Sequence, residues 1–136
     1  MKRLVYVSAA TVPFTDAALA QLLNISRKNN VAAGITGMLV YRDGDFLQIL
    51  EGGEAAVRET YQRISRDSRH ARILALDESD IDTREFGDWS MGFRRVSREE
   101  MPAGFVDFFD RKFDPSSLVT RGSEALTFLR SFREIA

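Results

Sequence analysis

A glutamine lies at the centre of an apolar strand in this sequence, and few folds can accommodate it. Residues 43–53 (DGDFLQILEGG) are typical of a turn, a short strand and a second turn that leads into a helix. Alternation gives the strand two faces, with Phe46, Gln48 and Leu50 on one and Leu47, Ile49 and Glu51 on the other. If helices cover the first face, the Gln48 amide is buried, and leaving it unpaired would cost roughly 1–3 kcal/mol. The rest of the chain must therefore supply partners for Gln48.

Length and composition exclude several classes of protein. With 136 residues, the chain has room for one domain with a substantial core. It has no cysteine and one histidine, so we expect no disulfide and no metal site. A formal net charge of −1 gives no reason to expect nucleic acid or an anionic membrane as a partner. No apolar run approaches the ~20 residues of a transmembrane helix, and no signal peptide opens the chain, so we expect a soluble, cytoplasmic protein.

The predicted elements follow one another in the order βαββαβ. Strands are predicted at 3–8, at 38–42, around Gln48 and at 73–77, with helices at 16–29 and 54–67. This order indicates an α+β fold, a ferredoxin-like sandwich with both helices on one face of the sheet. We expect a fifth strand at 89–94, and two C-terminal helices, around 105–109 and at 123–135, covering the opposite face. Residues 1–95 would form the core, and 96–136 a C-terminal helical cap and output segment of the same domain.

The core beneath the two predicted helices is unusually polar. Tyr6, Ser8 and Gln48 share one strand face, and Asn29 and Asn30 end the helix above it. Each could be satisfied internally, for example by a backbone carbonyl or as a helix cap. Taken together, they predict a polar patch that is either satisfied as a unit or filled by a ligand. A planar heteroaromatic ligand with amide-like edges suits such a slot. Leu22 and Ile64, on the facing sides of the two helices, could then contact its two faces.

Several pieces of the sequence match a known pattern in order and spacing. They are Tyr6 with Ser8, the pair Asn29-Asn30, and the runs 34–41 (GITGMLVY), 44–52 (GDFLQILEG), 67–70 (DSRH) and 89–93 (WSMGF). Over roughly residues 3–95, the chain resembles the BLUF family of blue-light photoreceptors that use flavin. Its C-terminal part resembles that of short, single-domain members without an attached output enzyme. The resemblance implies a flavin-binding sensor rather than an enzyme, with FAD as cofactor and FMN as the alternative.

The resemblance also implies roles for the residues at the centre of the site. Tyr6 would be the electron and proton donor to the excited flavin. Gln48 would lie between Tyr6 and the N5/O4 edge of the flavin and change its hydrogen bonding after light. Asn30 would bind the C4 carbonyl and N3 side, and Asn29 the C2 carbonyl side. An amide suits a switch because it can present either its oxygen or its NH₂ group, or tautomerise.

The other matching residues would surround this centre. Leu22 and Ile64 fall where the family sandwiches the flavin, and Arg69 and His70 where it contacts the outer flavin or its ribityl-phosphate tail. Trp89 and Met91, with Phe93 on one face of the fifth strand, would flank Gln48 and carry the change onward. On spacing alone, Trp89 and Met91 are more typical of a plain core, and His70 of a surface or capping position than of a ligand contact.

Other function classes remain open at this point. A ferredoxin-like module that binds a small metabolite would share the fold and lack photochemistry. A small hydrolase of the acylphosphatase type would need an arginine in the first strand–helix loop, and 8–16 contain none. Glu51 and the acidic stretch 78–88 are interpreted as solvated carboxylates rather than an acid–base pair. For a photoreceptor, we expect a downstream signalling protein as partner, and self-association into a homo-oligomer.

Overall fold

Two helices lie against one face of a five-stranded sheet. The computed structural model describes residues 1–12, 14–42, 44–96, 125–127 and 129–130. The elements are β1 (Lys2–Ala10), α1 (Asp16–Ala33), β2 (Thr36–Arg42), β3 (Asp45–Gly52), α2 (Glu54–Arg66), β4 (His70–Asp80) and β5 (Gly92–Arg95). The strand order is β4-β1-β3-β2-β5, with β5 parallel to β2 and the other neighbours antiparallel. The predicted ferredoxin-like α+β fold is confirmed.

Local chemistry explains where α1 begins and ends. The Thr15 side chain accepts a hydrogen bond from Ala18 N at 3.1 Å, as expected of an N-cap residue. The helix continues past the predicted end at Asn29 and stops at Gly34, whose φ of 70° is left-handed. Glycine adopts this conformation without steric cost, and its N–H group returns to the carbonyl groups of the last turn. The end predicted for this helix was therefore four residues short.

The sheet separates two apolar cores. The helix-side core lies between the sheet and the two helices, and its buried residues include Leu4, Tyr6, Leu19, Leu22, Leu23, Leu39, Phe46, Leu50, Val57 and Met91. The opposite core lies on the other face, and its buried residues include Val5, Val7, Leu47, Ile49, Phe86, Ala125, Leu126 and Leu129. The predicted alternation of β1 and β3 is thus confirmed.

Part of the C-terminal segment covers the opposite face of the sheet. Residues 125–127 and 129–130 are helical, and Ala125, Leu126 and Leu129 are buried there. This agrees with the helix predicted at 123–135. The piece predicted around 105–109 lies outside the described residues. Among the helices that the structure describes, none combines the length and the apolar character needed to cross a bilayer.

The fifth strand differs from its prediction. It begins at Gly92 rather than at Trp89, and 89–91 have no regular secondary structure. The alternation that placed Trp89 and Met91 on one face therefore does not apply. Trp89 packs against the opposite core, whereas Met91 is buried in the helix-side core. The parallel pairing with β2, which starts at Met38 opposite Gly92, fixes where the strand begins.

Glu51 is not a solvated carboxylate, in contrast to the prediction. Its side chain is fully buried and accepts hydrogen bonds from Thr36 Oγ1 at 3.1 Å, Phe86 N at 2.9 Å and Glu85 N at 2.7 Å. These three donors replace the water that burial removes. The predicted acidic loop is also shorter, because 78–80 belong to β4 and pair with β1. Glu51 thus anchors the start of the connection to β5.

Candidate functional site

A chain of hydrogen bonds crosses the middle of the helix-side core. Tyr6 and Gln48 are directly opposite each other in the β1–β3 pairing, and both are buried. The Tyr6 hydroxyl donates to Gln48 Oε1, and Gln48 Nε2 donates to Met91 Sδ at 3.2 Å. The structure therefore supplies the partners that the Gln48 amide requires. The Tyr6 hydroxyl is a good donor to the amide oxygen, whereas the Met91 thioether is only a weak acceptor for the amide NH₂ group.

Burial strengthens the preference of Tyr6 for its protonated form. Its side chain is 1% exposed, and loss of solvation raises its pKa well above the ordinary value, with a smaller contribution from Tyr61. The ring of Tyr61 on α2 meets the Tyr6 ring edge-on, with centroids 5.4 Å apart. The Tyr6 hydroxyl proton is consequently available for the hydrogen bond to Gln48.

Residues 89–91 are held through three consecutive carbonyl groups, each by a different donor. Gly37 N donates to Trp89 O at 3.1 Å, Asn30 Nδ2 to Ser90 O at 2.8 Å, and Arg27 Nε to Met91 O at 2.9 Å. Asn30 is 2% exposed, so its amide lies in the interior as the sequence suggested. These bonds fix a segment that has no regular secondary structure of its own. We refer to residues 89–91 as the Met91 segment.

Ser8 and His70 form a second polar contact at the other end of the helix-side core. Ser8 Oγ lies 3.1 Å from His70 Nδ1, and the His70 ring lies 5.0 Å from the Phe46 ring. Burial lowers the pKa of His70, although the Asp67 carboxylate opposes this effect. His70 is half-buried and belongs to this contact rather than to a fully exposed surface.

Arg69, by contrast, points its charge at the protein surface. It is exposed and forms an ion pair with Asp67, with Arg69 Nη2 2.6 Å from Asp67 Oδ2. The hydrogen bonds from Arg69 lower the pKa of Asp67 to about 2. The guanidinium group is thus paired with Asp67, and the structure does not bring Arg69 together with Tyr6 and Gln48.

A cleft separates the C-terminal half of α1 from α2. Its volume is about 630 Å³. It is lined by Asn29, Ala32, Ala33, Ala56, Glu59, Thr60, Gln62, Arg63 and Arg66. Among the residues predicted for the site, Asn29 lines this cleft, whereas Leu22 and Ile64 pack in or against the helix-side core beside it. The side chains of Ala32, Ala33 and Ala56 leave room between the helices because each is a single methyl group.

Apart from Asn29, Leu22 and Ile64, the predicted residues fall into three groups. Tyr6, Gln48, Met91 and Asn30 share one connected network in the core; Ser8 and His70 form a separate contact; Trp89 and Arg69 lie elsewhere. Trp89 is on the other face of the sheet from Gln48 and does not flank it. The reason is that the chain crosses from one core to the other between Trp89 and Met91. No group of three or more potential metal ligands is found in the ranges that the structure covers.

Sequence reasoning missed three arginines on the helices. Arg27 contacts the Met91 segment, and Arg63 and Arg66 line the cleft. A usable signal was present, since Arg27 precedes Asn30 by three residues and so lies on the same side of α1. Likewise, Arg63 and Arg66 are three residues apart on α2. Long charged side chains on a helix are usually read as solvated, which is why the pattern passed unnoticed.

Comparisons with known proteins agree on one family. A family model described as BLUF, sensors of blue-light using FAD, matches residues 1–92. The photoactivated adenylate cyclase subunit alpha of Euglena gracilis is 38% identical over 84 residues, which cover 62% of this chain and 8% of that protein. The dark-state structure of the BLUF protein BlrB is 34% identical, with a TM-score of 0.71 over 93% of this chain and 95% of BlrB. The photo-activated state of BlsA is 29% identical, with a TM-score of 0.73 over 95% of this chain and 94% of BlsA.

The lengths of these relatives differ widely. The chain spans only 8–12% of the length of the Euglena photoactivated adenylate cyclase proteins that it matches. It spans nearly the whole of BlrB and BlsA. The likeness therefore concerns the sensory domain and does not extend to the remainder of the cyclases.

Proposed function

Because this chain belongs to the BLUF family of sensors of blue light using FAD, we propose that it is a blue-light photoreceptor that binds a flavin between α1 and α2. The observation that carries the proposal is the buried chain from Tyr6 through Gln48 to Met91. A buried amide held by one strong and one weak partner has a preferred orientation and a second orientation that lies only modestly higher in energy. That property is what a sensor requires and what a static core avoids.

The residues around the cleft fit a flavin. A volume of about 630 Å³ lies within the roughly 300–1,000 Å³ that is usual for ligand pockets. Asn29 lines the cleft, whereas Asn30 and Gln48 are buried in the protein. The three amides offer both donors and acceptors, which match the amide-like edge of the isoalloxazine ring. Arg63 and Arg66 supply cations suited to a phosphate, although Glu59 also lines the cleft. We therefore assign Asn29, Asn30 and Gln48 to the ring, and Arg63 and Arg66 to the phosphate end.

A flavin supplies absorption of blue light and electron acceptance, and the protein supplies position and hydrogen bonds. Tyr6 holds its proton in the dark and presents it to Gln48 Oε1. If the Gln48 amide turns over, its NH₂ group faces Tyr6 and its oxygen faces Met91 Sδ. The thioether has no proton to donate, so the hydrogen bond to Met91 is lost in the turned state. Met91 thus favours the arrangement described here, and thermal return to it is downhill.

The family description names FAD, and we propose FAD as the cofactor. FMN shares the isoalloxazine ring, the ribityl chain and the first phosphate, so the same residues would accept it. Release of the cofactor by heat, followed by chromatography and mass measurement, distinguishes the two molecules. A diphosphate-containing cofactor is the expected result, and recovery of FMN alone would reverse the assignment.

We propose that the signal leaves through protein–protein contacts of the C-terminal segment, toward a downstream signalling protein in the cytoplasm or a second copy of the chain. Support comes from the opposite core, where Phe86 and Trp89 pack with Leu126 and Leu129. Glu85 also pairs with Arg130. Light should change hydrogen–deuterium exchange across 89–93 and 123–135. Identical exchange in dark and light would contradict signalling through these two segments.

The primary test is the absorption spectrum of the purified protein before and just after blue light. We expect a flavin spectrum that shifts slightly to the red and returns in the dark. A flavin that bleaches instead would indicate different photochemistry and would count against Gln48 as the switch. A colourless protein that also fails to bind added FAD would overturn the proposal and favour a metabolite-binding module on the same fold.

A further inference from the structure

Arg27 reaches the photoactive centre from outside it. It lies on α1, and its Nε donates to the backbone carbonyl of Met91 at 2.9 Å. The side chain of that same Met91 accepts the hydrogen bond from Gln48 at 3.2 Å. One residue thus connects an arginine on the helix surface to the amide of the Tyr6–Gln48 pair.

Two of the three donors that hold the Met91 segment come from α1. Asn30 and Arg27 are three residues apart and bind successive carbonyl groups, those of Ser90 and Met91. If Asn30 also binds the flavin, as the proposed function requires, its amide serves two partners at once. Within the part of the chain that the structure describes, the Arg27 side chain makes no hydrogen bond besides that to Met91. It is therefore the donor from α1 that is dedicated to the segment.

The thioether of Met91 needs such a support. A methionine side chain has three rotatable bonds, and its sulfur adapts readily to alternative positions. An N–H···S bond is weak, so it forms only where the sulfur is already held at the right place. The backbone of the Met91 segment has no strand or helix to hold it before Gly92. Its carbonyl contacts therefore decide where the sulfur lies.

We propose that Arg27 is a positioning residue: by holding the Met91 carbonyl, it keeps the Met91 thioether against Gln48 and sets how fast the amide returns after light. The effect on the recovery rate rests on the proposed function. The contacts of Met91 with Arg27 and Gln48 rest on the structure alone. Arg27 does not line the cleft, and the proposed flavin contacts do not include it.

The kinetic test follows dark recovery of the light-induced red shift in Arg27→Leu. Recovery should slow by about three- to tenfold, the factor that corresponds to one hydrogen bond of ordinary strength. Lys28→Leu removes the same charge from the next residue and should recover like the wild type. Arg27→Lys keeps a cationic donor and should restore most of the rate. Unchanged recovery in Arg27→Leu would overturn the proposal.

A double-mutant comparison separates action through Met91 from a general effect on α1. In a Met91→Leu background the sulfur is absent, so Arg27→Leu should cause no further slowing. Equal slowing in both backgrounds would overturn the proposal, because Arg27 would then act by another route. Flavin content and the melting temperature are measured in every variant: flavin content should stay unchanged in Arg27→Leu, and the melting temperature should fall by no more than the few degrees that one hydrogen bond accounts for.

A third measurement needs no photochemistry. The chain has four methionines, so labelled methionine methyl groups give four signals in an NMR spectrum. The signal lost in Met91→Leu identifies Met91. That signal should shift or broaden in Arg27→Leu and remain in place in Lys28→Leu. If the wild type shows no photocycle, the proposed function fails, yet this spectrum still decides whether Arg27 holds Met91; an unmoved signal would rule it out.

Discussion

Gln48 Nε2 donates a hydrogen bond to Met91 Sδ at 3.2 Å, so a buried amide at the middle of the sheet ends on one of the weakest acceptors that a side chain offers. Its oxygen, in contrast, accepts from the Tyr6 hydroxyl. Because the hydrogen bond to Met91 is weaker than that from Tyr6, the amide has a preferred orientation but can still turn over. Each end can be tested separately from the stability of the fold.

Replacing Gln48 with leucine should leave flavin binding intact and abolish the light-induced red shift. Leucine fills a similar volume but has no amide to rearrange beside Tyr6. Absorption spectra in the dark and after blue light measure both properties. Gln21→Leu, at an exposed position of α1, is the matched control and should keep the shift. A normal photocycle in Gln48→Leu would remove Gln48 from the mechanism.

His70 should make stability depend on pH below about 6.5. Burial lowers the pKa of His70 in the folded protein, so the unfolded chain binds a proton first as the pH falls. The free energy of unfolding is therefore highest above the pKa that His70 has in the unfolded chain. It falls as the pH drops from there toward the lower pKa of His70 in the folded protein. Urea unfolding at pH 7.5, 6.5 and 5.5 measures the trend. His70 is the single histidine of the chain, so His70→Gln should flatten it; an unchanged slope would assign the effect to another group.

Gly37→Ala should destabilise the sheet severely. A Cβ atom at Gly37 would lie 1.9 Å from the backbone oxygen of Ile49, and a backbone atom of a central strand cannot move aside cheaply. We expect a loss of about 3 kcal/mol or more, at the upper end for overpacking. Gly53→Ala is the control, because no atom lies within 4 Å of its added Cβ and its φ is −59°. Similar unfolding free energies for the two variants would contradict the close approach.

Glu51→Gln should lower stability by about 1–3 kcal/mol, since an NH₂ group would face a backbone N–H donor in a fully buried site. Glu54→Gln removes an equal charge from an exposed pair with Arg58, and should cost less than about 1 kcal/mol. Urea unfolding of both variants at pH 7 compares them. If Glu51→Gln proves as mild as Glu54→Gln, the buried carboxylate is not an anchor.

The positions set by the alternation of side chains along a strand could be predicted from the sequence. Those set by contacts between residues far apart in the sequence could not. Tyr6 and Gln48 fell on one face because β1 and β3 are regular, and the register then placed them opposite each other. Trp89 was misplaced because the Met91 segment takes its shape from Gly37, Asn30 and Arg27, which are far away in sequence. Glu51 looked solvated for the same reason: its two backbone donors, Glu85 N and Phe86 N, come from a connection more than thirty residues later.

The parallel pairing of β5 with β2 also has a consequence for how the molecule folds. Met38 meets Gly92 only after a loop of roughly fifty residues closes, whereas Met38 meets Ile49 in the β2–β3 hairpin across about ten residues. Closing a long loop costs entropy before its contacts repay it, so the last strand should join late. The chain carries one tryptophan, Trp89, just before that strand. On refolding, its fluorescence should lag behind far-ultraviolet circular dichroism; coincident traces would contradict this order. The hydrogen bond between Gln48 and Met91 can then form only after the β2–β3 hairpin, once the connection to β5 has closed.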